Sequence, residues 1–129
     1  MHVPKLLIVD DEEDVREFAA NFFRKRKIDV ITAAHGEEAV NIVDTQNPDL
    51  VLLDIKMDGI DGVETLKRIR QKSQTIKVIM VTGRKPEEDG AFDECRQLGI
   101  SDYIHKPLEL GELESVVLKE LSTNGKATV

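Results

Sequence analysis

Carboxylates stand at the ends of two apolar runs in this 129-residue chain. Asp10, Asp11 and Glu12 follow Leu6–Val9, and Asp54 follows Leu50–Leu53. A hydroxyl, Thr82, comes directly after a third run, Val78–Val81. A cation, Lys106, lies just past another, Asp102–Ile104, with Pro107 behind it. In an open α/β sheet, ligands bind beyond the carboxyl ends of the strands. If these runs are strands of one such sheet, the acids, the hydroxyl and the lysine converge on one small pocket. That set suits phosphoryl transfer. Clustered carboxylates repel one another and resist full ionisation unless a cation joins them. Mg²⁺ meets the need, taking oxygen ligands octahedrally at ~2.0–2.1 Å, keeping waters and sharing phosphate oxygens. Beyond that, the transfer requires a nucleophilic oxygen in line, with positive charge and donors around the equatorial oxygens. Asp54 supplies the oxygen, and Lys106, the metal and Thr82 supply the rest.

The elements that must position these residues are legible as five apolar runs, Leu6–Val9, Asp29–Ala33, Leu50–Leu53, Val78–Val81 and Asp102–Ile104. The first, third and fourth are continuous in Leu, Ile, Val or Met, as strands buried on both faces of a parallel sheet are. Asp29–Ala33 is more polar and Asp102–Ile104 is short, which places both nearer an edge. The intervening segments carry the helical period. Val15, Phe18, Ala19 and Phe22 form one stripe, Val63, Leu66 and Ile69 another, and Leu110, Leu113, Val117 and Leu121 a third. Ala39 with Val43, and Phe92 with Cys95 and Leu98, give weaker versions. Gly36, Glu37 and Glu38 open the second helix, Pro48 closes the connection after it, and Gly99 follows the fourth as a C-cap. Five strands alternating with five helices predict a doubly wound α/β fold with right-handed crossovers. The expected organisation is one domain over residues 1–122 and a flexible tail over 123–129.

Composition narrows the partners. The net charge of -7 argues against nucleic-acid binding, which needs clustered Lys and Arg. Aromatics make up only 4% of the chain, so the core must be aliphatic. The single Cys cannot form an internal disulfide, which fits a reducing cytosol. The apolar runs fall far short of the ~20 residues of a membrane span, and Met1–Lys5 lacks signal-peptide character. The expectation is a cytoplasmic domain without membrane contact.

The stretches Leu7-Ile-Val-Asp-Asp11, Leu53-Asp-Ile-Lys-Met57, Asp61-Gly62, Val81-Thr-Gly83 and Tyr103-Ile-His-Lys-Pro107 together resemble the signature of response-regulator receiver domains. The resemblance covers roughly Lys5 to Leu121. It implies a flavodoxin-like three-layer fold with a five-stranded parallel sheet of order 2-1-3-4-5. It implies Asp54 as the phosphoacceptor, with Asp10, Asp11, Asp54 and the backbone carbonyl of Lys56 around Mg²⁺. Thr82 would be the switch hydroxyl, Tyr103 the switch aromatic, Lys106 the phosphate partner, and the Lys106–Pro107 bond cis. The donor would be a histidine kinase or histidine phosphotransfer domain. The output, a partner protein or a further domain, would engage the face of the fourth helix, fifth strand and fifth helix. Asp58 stands where receivers often have Pro, Gly83 where Ala is usual, and the stretch from Thr82 to Lys106 is slightly long. These departures bear on the fourth helix rather than on the chemistry.

Plainer readings stand beside these. Asp10 or Asp11 could cap the first helix, Thr82 could open a loop, Lys106 could be solvated and Tyr103 could be an edge-strand residue. His2, His35 and His105 lack metal-ligand spacing, and Arg24 to Lys27 reads as a solvated helix end. Asp54 to Gly59 imitates the start of an EF-hand loop, but Lys56 and Thr65 occupy positions that need an acid or amide and a Glu. An aspartyl-phosphate hydrolase of the haloacid dehalogenase type is the alternative from another class. It wants a second Asp two residues after the nucleophile, where Lys56 stands.

Overall fold

The computed structural model describes residues 3–55, 59–83, 91–105 and 109–123, with the side chains of residues 91, 92 and 123 left aside. The order is β1 (Lys5–Val9), α1 (Glu13–Arg24), β2 (Asp29–Ala33), α2 (Gly36–Gln46), β3 (Leu50–Asp54), α3 (Gly62–Lys72), β4 (Lys77–Thr82), α4 (Ala91–Leu98), β5 (Asp102–His105) and α5 (Leu110–Thr123). All five strands join one sheet of order β2-β1-β3-β4-β5, and every pairing is parallel. The two polar or short runs are the edge strands, as their composition predicts.

Successive residues of the central strands are buried on alternate faces of the sheet. Leu7 and Val9 of β1, Val51 and Leu53 of β3, and Val78 and Met80 of β4 share a core with α2, α3 and Cys95 of α4. Leu6 and Ile8, Leu50 and Leu52, and Ile79 and Val81 share the opposite core with Ala19, Ala20, Phe23, Leu113 and Val117 of α1 and α5. Both sheet faces are dry, so both alternating sets must be aliphatic.

Several helical positions differ from the sequence reading. The inward stripe of α1 is Ala19, Ala20 and Phe23, with Val15 half-buried, while Phe18 is 61% exposed. A residue one position from Ala19 lies about 100° around the helix, so Phe18 falls on the shoulder, and two alanines let α1 sit close to the sheet. Phe22 is half-buried, with its ring edge-on to Phe23 and the Arg26 guanidinium 3.6 Å from its centroid. Arg26 also pairs with Glu114 of α5 at 2.6 Å, so the basic stretch is not only a solvated end. In α5, Leu113 and Val117 are buried, whereas Leu110 is exposed. Val63, Leu66 and Ile69 of α3 are all buried. Gly99 has φ 96° and its N–H returns to the Cys95 carbonyl, the left-handed cap that ends α4.

Candidate functional site

The carboxyl ends of β1 and β3 are adjacent in the sheet, with Val9 in register with Leu53. The residues just beyond this pair, Asp10 and Asp54, are therefore neighbours. Asp10 is only 6% and Asp54 only 3% exposed, and Asp11 is half-buried beside them. One oxygen from each of the three carboxylates lies within 4.8 Å of the others. A cavity of about 10 Å³ is lined by Asp10 and Asp54 together with Val15 and Ala19 of α1 and Ile8, Val9, Leu52 and Val81 of the sheet. Two nearly buried acids thus share their surroundings with apolar side chains, where like charges are costly. A compact set of hard oxygen donors of this kind fits a divalent cation such as Mg²⁺.

The backbone around Asp10 and just after Asp54 is anchored by hydrogen bonds. The Asp10 N–H donates to the Ala33 carbonyl at 3.1 Å, and Asp10 Oδ1 accepts the Glu12 N–H at 2.9 Å. That bond tightens the turn into α1, but the N-cap of α1 is Glu12, so neither Asp10 nor Asp11 is the cap itself. The Asp10 carbonyl accepts from Arg16 Nη1 at 2.9 Å. At the other strand, the Ile55 N–H donates to the Val81 carbonyl, and the Gly62 N–H donates to the Ile55 carbonyl at 2.7 Å. Gly62 begins α3, behind the cap Asp61, whose Oδ1 accepts the Glu64 N–H. A Cβ on Gly62 would strike the Asp54 carbonyl oxygen and lie 2.5 Å from the Ile55 Cα. Only glycine lets α3 approach the Asp54 peptide this closely.

Thr82 ends β4 and is buried, in register with His105 of β5. By strand alternation it shares a face with Met80, toward α3 and α4. Tyr103 pairs with Met80 and is half-buried against that same core, its ring 6.0 Å from that of His105. His35 is exposed and His105 half-buried. Lys56, Lys106 and Pro107 lie outside the described residues, as does His2. The structure therefore brings Asp10, Asp11 and Asp54 together, with Thr82 at the neighbouring strand end. Arg16 is weakly marked in the sequence. Its only signal there is an Arg six residues after Asp10, on a helix otherwise acidic at its start.

A family model described as the response regulator receiver domain matches residues 6–118. The chain is similar to the sporulation initiation phosphotransferase F of Bacillus subtilis, with 38% identity over 117 residues, 91% of this chain and 93% of that protein. Its fold is similar to a CheY-like response regulator receiver domain protein from Methanospirillum hungatei, with TM-score 0.91, 25% identity, and coverage of 98% and 99%. It is also similar to the response regulator TrrA of Thermotoga maritima in complex with Mg²⁺ and BeF, with TM-score 0.80, 32% identity, and coverage of 92% and 100%.

Proposed function

Because this chain belongs to the response regulator receiver family, we propose that it takes a phosphoryl group on Asp54 from the phosphohistidine of a histidine kinase or phosphotransfer protein. The observation that carries this reading is the packing of the Asp10, Asp11 and Asp54 carboxylates within 4.8 Å of one another at the ends of adjacent strands. An Asp54 carboxylate oxygen attacks phosphorus, the N–P bond of the donor breaks, and the donor imidazole keeps the electron pair and takes up a proton. Mg²⁺, held by Asp10, Asp11, Asp54 and the carbonyl of Lys56, would offset charge on the transferring group. The binding of Mg²⁺ and BeF by TrrA, a 32% identical relative, supports this choice of ion.

In this reading the protein residues do little covalent work. The main-chain anchors hold Asp10 and Asp54 at fixed separation, Thr82 donates to a phosphoryl oxygen, and Lys106 places positive charge beside it. Engagement of Thr82 draws it toward Asp54, Tyr103 follows on the same face, and the surface of α4, β5 and α5 changes its affinity for a partner or output domain. The test is incubation with acetyl phosphate, with and without Mg²⁺, followed by mass spectrometry. One added phosphoryl group is expected, dependent on Mg²⁺ and absent from Asp54→Asn. Equal labelling of Asp54→Asn would overturn the assignment.

A further inference from the structure

Arg16 lies on the inner side of α1, its side chain only 15% exposed. Its guanidinium bonds the backbone of the turn: Nη1 donates to the main-chain carbonyl of Asp10 at 2.9 Å, and Nε stands 3.8 Å from the Glu17 carboxylate. The contacts around it close a ring. The Asp10 carboxylate holds the Glu12 N–H, the Glu12 carbonyl accepts the Arg16 N–H, and the Arg16 side chain returns to the Asp10 carbonyl. This ring spans the whole turn that carries Asp10 and Asp11 from β1 into α1. With the Asp10 N–H already bound to Ala33, both amide groups that flank the Asp10 side chain are pinned.

We propose that Arg16 is a positioning residue of the metal site, fixing Asp10 and Asp11 through the Asp10 carbonyl. This rests on the reading that those carboxylates hold Mg²⁺. Groups that orient metal ligands from behind change metal affinity by ~10–100-fold when removed. Arg16 acts through the backbone rather than on a ligand oxygen, so the lower end of that range applies. A second effect opposes it: Arg16 is a cation near an acidic pocket, and its loss alone would leave the pocket more negative and tighten Mg²⁺ binding. The sign of the change therefore separates positioning from plain charge balance.

The experiment titrates Mg²⁺ into the full chain by calorimetry, for wild type, Arg16→Met and Arg16→Lys, and records metal-free melting temperatures alongside. Arg16→Met keeps the apolar stem and is expected to raise the Mg²⁺ Kd about 10-fold. Arg16→Lys, which retains a donor long enough for the carbonyl, recovers most of that loss. Unchanged or tighter Mg²⁺ binding in Arg16→Met, whatever its melting temperature, overturns the proposal. If Arg16→Met fails to fold, Arg16→Gln takes its place, since it is neutral and two bonds too short, and the same two outcomes decide. Wild type that binds no Mg²⁺ refutes the metal site itself, a failure distinct from that of Arg16.

Discussion

Replacing Gly62 by Ala tests whether α3 sets the position of Asp54, the proposed phosphoacceptor. The new methyl would lie 2.5 Å from the Ile55 Cα and 3.0 Å from the Asp54 carbonyl carbon, with the carbonyl oxygen nearer still. Carbon atoms rest ~3.5–4.0 Å apart, so α3 and the end of β3 must separate by about 1 Å. These obstacles are backbone and cannot rotate away. Overpacking of this kind costs about 1–3 kcal/mol, while the gain in helix propensity from Gly to Ala returns at most ~1 kcal/mol. With that gain returned in full, the net loss is up to about 2 kcal/mol, a fall in melting temperature of up to roughly 8 °C for a chain of this size. The effect on chemistry is larger, because a ~1 Å misplacement of a reacting group costs ~100-fold in rate. Gly62→Ala should remain folded yet label with acetyl phosphate some 10–100-fold more slowly. Gly111→Ala is the matched control. It sits in the first turn of α5 with nothing within 4 Å of the added atom, so it should raise stability by up to ~1 kcal/mol and leave labelling unchanged. A Gly62→Ala protein that melts and labels like wild type would refute the claim that this close approach holds Asp54 in place.

Mg²⁺ should stabilise the chain, by ~2.7 kcal/mol at a hundredfold excess over its Kd; Asp11→Ala should shrink that thermal shift, and an undiminished shift would exclude Asp11 from the site. Arg70 donates to the carbonyls of Ser73, Ile76, Leu98 and Gly99, joining the C-terminal ends of α3 and α4. Burial lowers the pKa of its guanidinium. Arg70→Ala should cost about 2–4 kcal/mol in urea unfolding and speed amide exchange in α4, since charge-assisted bonds contribute ~1.5–3 kcal/mol each; an unchanged midpoint would count against the clamp. Lys56 and Arg84, two residues past Asp54 and Thr82 in sequence, are expected to shield the phosphoryl group from water and slow its hydrolysis. Phospho-Asp54 should then decay faster in a Lys56→Asn, Arg84→Glu double variant, and equal decay would remove the shielding idea.

The sheet could be read from the sequence because β1, β3 and β4 are dry on both faces, so continuous Leu, Ile, Val and Met mark them. The acids could be read because doubly wound folds place ligands at strand ends, and Asp10, Asp11 and Asp54 follow their runs without a gap. Helix rotation was less legible. In α1 both Phe18 and Phe23 fit an apolar stripe within the tolerance of a 3.6-residue period, and only the depth of the Ala19–Ala20 contact shows that Phe23 is inside. Tertiary anchors were not legible at all. The Arg70 clamp joins residues up to 29 positions apart, and the Arg16 bond depends on where α1 settles over the end of β1. Nothing in the type or spacing of either Arg distinguishes it from a solvated one.

The layers divide the site in a way that bears on signalling. The Asp54 side chain shares the α1 side of the sheet with Ile8, Leu52 and Val81, where Asp10 also stands. Thr82 and Tyr103 fall on the other side, with Met80 and with Cys95 of α4. Asp10 is thus held from the α1 layer, by Arg16 and the turn after β1, while Gly62 of α3 packs against the Asp54 peptide from the other layer, which the residues assigned to the switch also face. On the proposed reading, a phosphoryl group on Asp54 would reach over the end of the sheet to meet Thr82. The turn after β1 can then stay fixed while the opposite layer responds, so the contacts that hold Asp10 are not those that would change on switching. On this reading, substitutions at Arg16 act on metal affinity and labelling, whereas substitutions at Tyr103 or along α4 act on partner binding after labelling is complete. A Tyr103→Ala variant that labels normally but loses its phosphorylation-dependent shift in α4 amide exchange is the expected result. Loss of labelling itself in that variant would show that the two layers are not separable.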